Sequence, residues 1–256
     1  MAFFSENGKI RKMKKSAKIR IFSVRKKAVI VAFALLFLAA SALVSAGGIK
    51  AAAKEKHFFT VVIDAGHGGI DGGVTGATTG IAESELNLSV AKFLKEDFAA
   101  AGFKVVMTRT SSAALYGYLG GSLKKRDMQN RKRVIEKASP DLVISIHMNK
   151  CPIPSRRGAQ VFYRAGDERS IALAASVQDR LNNMEEASRD CISLVGDYYI
   201  LNVSPCPAAL VECGFLSNAE DEKLLVSESY RGKISCVIFK GAIDYLAGIG
   251  AYPKIG

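Results

Sequence analysis

Two hydrophobic rhythms alternate along the chain from His57 to Leu246. Short apolar runs predict strands at His57–Asp64 (HFFTVVID), Phe103–Thr108, Asp141–His147 (DLVISIH), Ala159–Tyr163, Tyr198–Leu201 and Ala208–Glu212. Between them, apolar residues three and four apart predict helices over Glu83–Ala101, Lys124–Ala138, Ser170–Asn182, Ala219–Ser227 and Tyr230–Leu246. Strands that alternate with helices build a layered α/β domain, so a single domain with a mainly parallel twisted sheet flanked by helices is expected. Sites in such sheets lie beyond the carboxyl ends of the strands. Neither an internal repeat nor a second module is visible.

A different pattern precedes this domain. Ala28–Ala46 is apolar, with no charge until Lys50. That length approaches the roughly 20 residues a membrane-spanning helix needs. Residues 1–27 carry ten Lys/Arg against one acid, Glu6, so +9 of the net charge of +12 lies there and +3 remains for everything after it. A basic flank on the N-terminal side places that end in the cytoplasm. Two export readings stay open: a signal anchor that is retained, or a signal peptide cut after Val44-Ser45-Ala46. A buried core helix is the plain alternative. Under either export reading Phe58 onward lies outside the cytoplasm. The expected division is a basic cytoplasmic tail (1–27), a membrane segment (28–47), a linker (48–57), a folded catalytic domain (58–247) and a C-terminal tail (248–256). A charge confined to the tail leaves a nearly balanced body and gives no reason to expect a nucleic-acid partner. Five cysteines form no C-x-x-C pair and are odd in number, which predicts packed, reduced thiols.

Candidate chemistry begins with the histidines. There are three, His57, His67 and His147, and two of them follow buried-looking strands: His67 after VVIDAG and His147 at the end of LVISI. One histidine at a strand end is usually structural. Two, each beside small or amide residues, point towards a metal. A catalytic zinc site needs three protein ligands and one open position, and two histidines with a glutamate are a common set. Glu83 and Glu85 both stand near a helix start, and helical phase separates them. Glu83 shares its face with Leu86, Asn87, Val90 and Leu94, the inward stripe; Glu85 lines up with Ser89, Lys92 and Glu96. The plain alternative for Glu83 is complementation of the helix dipole. Glu212 lies inside an apolar run, PAALVECGFLSN, where a carboxylate needs a partner. That partner is either a basic residue or a metal-bound water, for which Glu212 would serve as general base.

Taken together, VVIDAGHGGIDGG, GIAESELNL, MTR, DLVISIHMN, GAQVFY and ALVECGFLSN resemble the zinc-dependent N-acetylmuramoyl-L-alanine amidases of the amidase-3 type. The resemblance covers roughly Phe58 to Leu246. It implies one zinc ion on His67, Glu83 and His147, Glu212 as catalytic carboxylate, and supporting roles for Arg131 and Asn149. Within that family the chain is similar to the germination-specific amidases of endospore formers, through its basic N-terminus, its lack of a wall-binding module and the stretch Tyr198–Leu201. That similarity implies removal of the peptide from muramic acid in spore-cortex peptidoglycan, as a step towards muramic-δ-lactam. It also implies a place at the outer face of the cytoplasmic membrane or in the forespore intermembrane space. The membrane would be engaged through the N-terminal segment. A compact enzyme without a targeting module leaves room for an activating protein partner, which nothing in the chain names. Thr110-Ser111-Ser112 departs from the acid that family members often carry there. A general wall amidase, a zinc muropeptide peptidase and a non-catalytic wall-binding protein are the competing readings.

Overall fold

A computed structural model of the chain describes residues 59–115, 122–188 and 190–253. The basic tail, the proposed membrane segment and the linker lie outside these residues. Among the described residues no helix is long and apolar enough to cross a membrane.

Six strands form one sheet: β1 (Thr60–Ala65), β2 (Lys104–Met107), β3 (Leu142–Asn149), β4 (Gln160–Tyr163), β5 (Leu194–Val195) and β6 (Ala208–Phe215). Their spatial order is β2-β1-β3-β6-β4-β5. The helices are α1 (Glu83–Ala100), α2 (Leu123–Ala138), α3 (Glu168–Asn182), α4 (Tyr199–Asn202), α5 (Ala219–Val226) and α6 (Glu228–Gly248). Local chemistry sets several of the helix boundaries. Glu83 and Glu85 complement the dipole in the first turn of α1. The Asp167 side chain accepts from Ser170 N at the start of α3, and Asn218 accepts from Glu220 N and Asp221 N at the start of α5. Ser139 closes α2 in the left-handed conformation.

The sheet is mixed. Strands β2, β1, β3 and β6 are parallel, whereas β4 runs antiparallel to β6 and β5 follows β4. The reason is the connection. Residues 150–159 contain no helix to return the chain across the sheet, so β4 starts from the end where β3 stops and runs backwards. Tyr198–Leu201 is not a strand. It leads into the single helical turn α4, where Leu201 N and Asn202 N bond locally to Tyr198 O rather than to a neighbouring strand. The two-residue β5 is too short and too exposed to show in a hydrophobic pattern. Strand β3 continues two residues beyond His147, to Asn149.

Pleating sorts the strand side chains between two faces. Val61, Ile63, Ile144, Ile146 and Val211 pack in the larger cluster, with Leu94 of α1, Val177 of α3 and Ile238 of α6. Val62, Val143 and Leu210 pack on the opposite face with Ile135 of α2 and Ile200 and Leu201 of α4. Asp64, Ser145, His147 and Glu212 are in phase with this second set. A thinner cover on that face leaves a cleft over the carboxyl ends of β1, β3 and β6.

Candidate metal centre and catalytic cleft

Three segments far apart in the chain meet at this end of the sheet. His67 follows β1 and sits at φ +58°, a conformation rare for a residue with a side chain. Its turn is held by two arginines. Arg109 donates from Nε to Ala65 O (2.9 Å) and from Nη2 to Gly66 O (2.8 Å) and Ser84 O (2.7 Å). Arg131 donates from Nη1 to Ala65 O (2.7 Å) and from Nη2 to His67 O (2.5 Å). Arg131 is fully buried and pairs with Asp64 at 2.6 Å and Asp127 at 2.7 Å. Burial alone would raise the Asp64 carboxyl, but Arg131 and the hydroxyls of Ser145 and Thr108 outweigh it and hold it down to about 2. Burial beside Arg131 brings Arg109 down to about 10.

Glu83 is buried in the first turn of α1, together with Leu86, Asn87, Val90 and Leu94, while Glu85 is exposed. The helical phase therefore separates the two as expected. Its Oε2 accepts from Val74 N at 2.9 Å; its Oε1 accepts from Met148 N and Asn87 Nδ2, each at 3.1 Å. The same Oε1 lies 3.0 Å from His147 Nδ1 and 3.3 Å from His67 Nε2. Burial opposes ionisation of Glu83, but both imidazoles favour it more strongly, and its pKa falls well below the usual carboxylate range. On its far side His67 Nδ1 meets Asp71 Oδ1 at 3.0 Å. Burial opposes a charge on His67 too, yet Glu83 and Asp71 raise its pKa overall.

One donor atom from each of His67, Glu83 and His147 falls within 4.8 Å of the other two. Tetrahedral zinc with bonds of about 2.1 Å places its ligand atoms about 3.4 Å apart. The donor set and its spacing fit that ion. Asp71 behind His67 fixes which nitrogen faces the centre, as carboxylates behind ligating histidines do. Two glycines make the room. A side chain on Gly66 would overlap the His147 ring, and one on Gly73, at φ +71°, would overlap the Glu83 carboxylate.

Glu212 pairs in register with His147 across β3 and β6. It is 7 % exposed, and its Oε2 is buried without any hydrogen-bond partner. Burial pushes its pKa up to about 7; His147 and His67 draw it down and Glu83 pushes it up by lesser amounts. No salt bridge satisfies it among the described residues, so the plain alternative fails. His67, Glu83, His147 and Glu212 line one cleft of about 490 Å³, with Tyr198, Tyr199, Lys124 and Asn149 on its walls. The supporting pair divides. Asn149 stands on the wall, its Oδ1 accepting from Lys150 N at 2.7 Å. Arg131 lies under the His67 turn and has no exposed surface. Sequence reasoning missed Asp64, Asp71, Asn87 and Arg109. Asp71 and Asn87 had a readable signal, each four residues after a candidate ligand; the arginine wrapping has none in one dimension. All five cysteines are free.

Residues 61–244 match the N-acetylmuramoyl-L-alanine amidase family. The chain belongs to that family. It is 35 % identical over 198 residues to the germination-specific N-acetylmuramoyl-L-alanine amidase of Bacillus subtilis, covering 76 % of this chain and 82 % of the relative. Among solved structures it resembles the CwlD amidase from Clostridioides difficile in complex with the GerS lipoprotein. That likeness has a TM-score of 0.71 at 31 % identity and covers 74 % of this chain and 99 % of the other. A second N-acetylmuramoyl-L-alanine amidase, from Clostridium difficile 630, matches with a TM-score of 0.67 at 29 % identity, covering 75 % and 98 % of the two chains. The protein is thus an N-acetylmuramoyl-L-alanine amidase acting on peptidoglycan. The peptidase and wall-binding readings give way to this one.

Proposed function

We propose that this amidase works with one zinc ion held by His67, Glu83 and His147, with Glu212 as its catalytic carboxylate, on the peptidoglycan of the spore cortex. One observation carries the catalytic half: a buried carboxylate oxygen with no partner, opening on the same cleft as three clustered metal donors. A buried polar group is costly unless something pairs with it, and a water activated at a metal is such a partner.

Zinc supplies Lewis acidity, polarising the lactyl carbonyl and lowering the pKa of water towards about 7. The protein's own residues do the rest. Glu212 takes a proton from the attacking water as oxygen bonds to the carbonyl carbon. It then delivers that proton to the L-alanine nitrogen as the carbon–nitrogen bond breaks. Buried surroundings suit it to both tasks, since a carboxyl held near neutrality exchanges protons readily in either direction. Asp71 keeps His67 oriented, Arg131 holds its carbonyl, and Arg109 holds that of Gly66 before it.

The cortex reading, as a step towards muramic-δ-lactam in sporulation, rests on similarity to a germination-specific relative. The division into a basic tail (1–27), membrane segment (28–47), linker (48–57), catalytic domain (58–247) and C-terminal tail (248–256) rests on the sequence pattern. It places the enzyme on the outer side of the membrane, anchored or secreted. A protein partner is proposed on the likeness to the CwlD amidase that was solved with a lipoprotein. Muropeptide mass spectrometry of spores with and without the gene tests the role. Loss of muramic-δ-lactam in the deletion is expected; its persistence leaves a general wall amidase.

A further inference from the structure

The stretch Tyr198–Leu201 has no part in the zinc and glutamate chemistry, yet the fold brings it to the cleft. Ile200 and Leu201 are buried and anchor α4 against the sheet. Tyr198 stands at the N-terminal end of that turn, its carbonyl accepting from Leu201 N at 3.0 Å and Asn202 N at 3.1 Å. Its ring is equally fixed. It meets Phe162 edge-on, centroids 5.3 Å apart at 62°. It also lies so close over Gly196 that an added Cβ would come 2.5 Å from Tyr198 Cε2 and 2.6 Å from Cδ2. Gly196 is itself tied to β4 through its N–H to Tyr163 O at 2.9 Å.

This is a rigid aromatic wall with a polar tip. The half-buried ring lines the same cleft as Glu212, and no hydrogen bond among the described residues occupies its hydroxyl. Burial, and then the nearby charge of Glu212, pushes the phenol up to about 12, so it stays a hydrogen-bond donor at any working pH. A donor held still in a partly dry cleft is worth most where charge develops during the reaction. Resting on the zinc and Glu212 reading above, we propose that Tyr198 is a further catalytic residue, donating a hydrogen bond from its hydroxyl to the carbonyl oxygen of the scissile amide as water adds to it. No proton leaves the phenol. The water proton goes to Glu212 and on to the nitrogen, and the hydrogen bond is released as the carbonyl re-forms.

The test is steady-state kinetics on purified peptidoglycan with the zinc-loaded full-length enzyme, comparing wild type, Tyr198→Phe and Gly196→Ala. Tyr198→Phe keeps the ring and its packing. It should retain zinc and melting temperature, lose about 100-fold in kcat and change KM by less than about threefold. Gly196→Ala keeps the hydroxyl but pushes the ring aside, and should also lower kcat. A Tyr198→Phe enzyme with unchanged kcat, or one altered in KM alone, overturns the proposal. A wild-type enzyme that releases no free stem peptide overturns the amidase reading itself, so the two failures are distinct.

Discussion

The Nη2 of Arg131 donates to the carbonyl oxygen of His67 at 2.5 Å, from a side chain with no exposed surface. A residue in α2 thereby holds the backbone of a proposed ligand in its left-handed conformation. Arg131 touches no donor atom of the cluster, yet the direction in which the His67 ring points depends on it. Removing it would also leave Asp64 and Asp127 buried beside an empty space.

Arg131→Ala should therefore be costly twice over. Breaking a buried ion pair by removing one partner costs about 3–5 kcal/mol. Urea unfolding should show a loss of that order, and zinc titration of the surviving folded protein should show weaker binding. Wild-type stability would mean that the two aspartates find other partners.

Glu212→Gln should fold and bind zinc stoichiometrically but turn over peptidoglycan at least about 100-fold more slowly, because the amide cannot accept the proton. Metal analysis and turnover measured on the same sample separate the two properties. Near-normal turnover in the glutamine variant would remove Glu212 from its catalytic role.

His67→Ala and His147→Ala should each lose zinc as well as activity, since two donors hold the ion poorly. Elemental analysis after dialysis decides it. Full occupancy in either variant takes that residue out of the ligand set. His57, the remaining histidine, serves as the control, and its alanine variant should keep zinc.

Two pH effects follow from buried carboxyls, in different windows. Glu212 must be ionised to accept a proton, and burial raises its pKa to about 7. Activity should fall as the pH drops through that region, or through a lower one once a zinc ion adds positive charge nearby. The acid limb should vanish in the residual activity of Glu212→Gln. Asp64 is the opposite case. Its folded pKa is depressed from 3.8 to about 2, so its contribution is present above pH 4 and is lost as the pH falls from about 4 to about 2. At 1.36 kcal/mol per pKa unit, that is about 2 kcal/mol, readable as the acid slope of unfolding stability.

Much of this site is visible in one dimension because its chemistry rides on regular elements. Helical phase separates Glu83 from Glu85, and His67 and Glu212 sit on or just after apolar strands. The rest stays hidden from a pattern of apolar positions. Tyr198–Leu201 carries a strand's composition, but the backbone coils into one turn whose N–H groups bond locally to Tyr198 O and Tyr199 O. The reversal of β4 follows from a connection too short to cross the sheet, which a list of apolar runs does not weigh. Arg109 belongs to the MTR stretch that carries the resemblance, but only the folded chain shows it wrapping Ala65, Gly66 and Ser84.

Gly66 and Gly73 carry no reactive group, yet the His147 ring and the Glu83 carboxylate occupy the volume their missing side chains leave. The centre is thus specified partly by absence. A homologue can keep both histidines, both glutamates and every buried arginine and still be silent, if a single methyl group has entered at either glycine. Whether such a chain works is better judged from its empty positions together with its ligands than from its ligands alone.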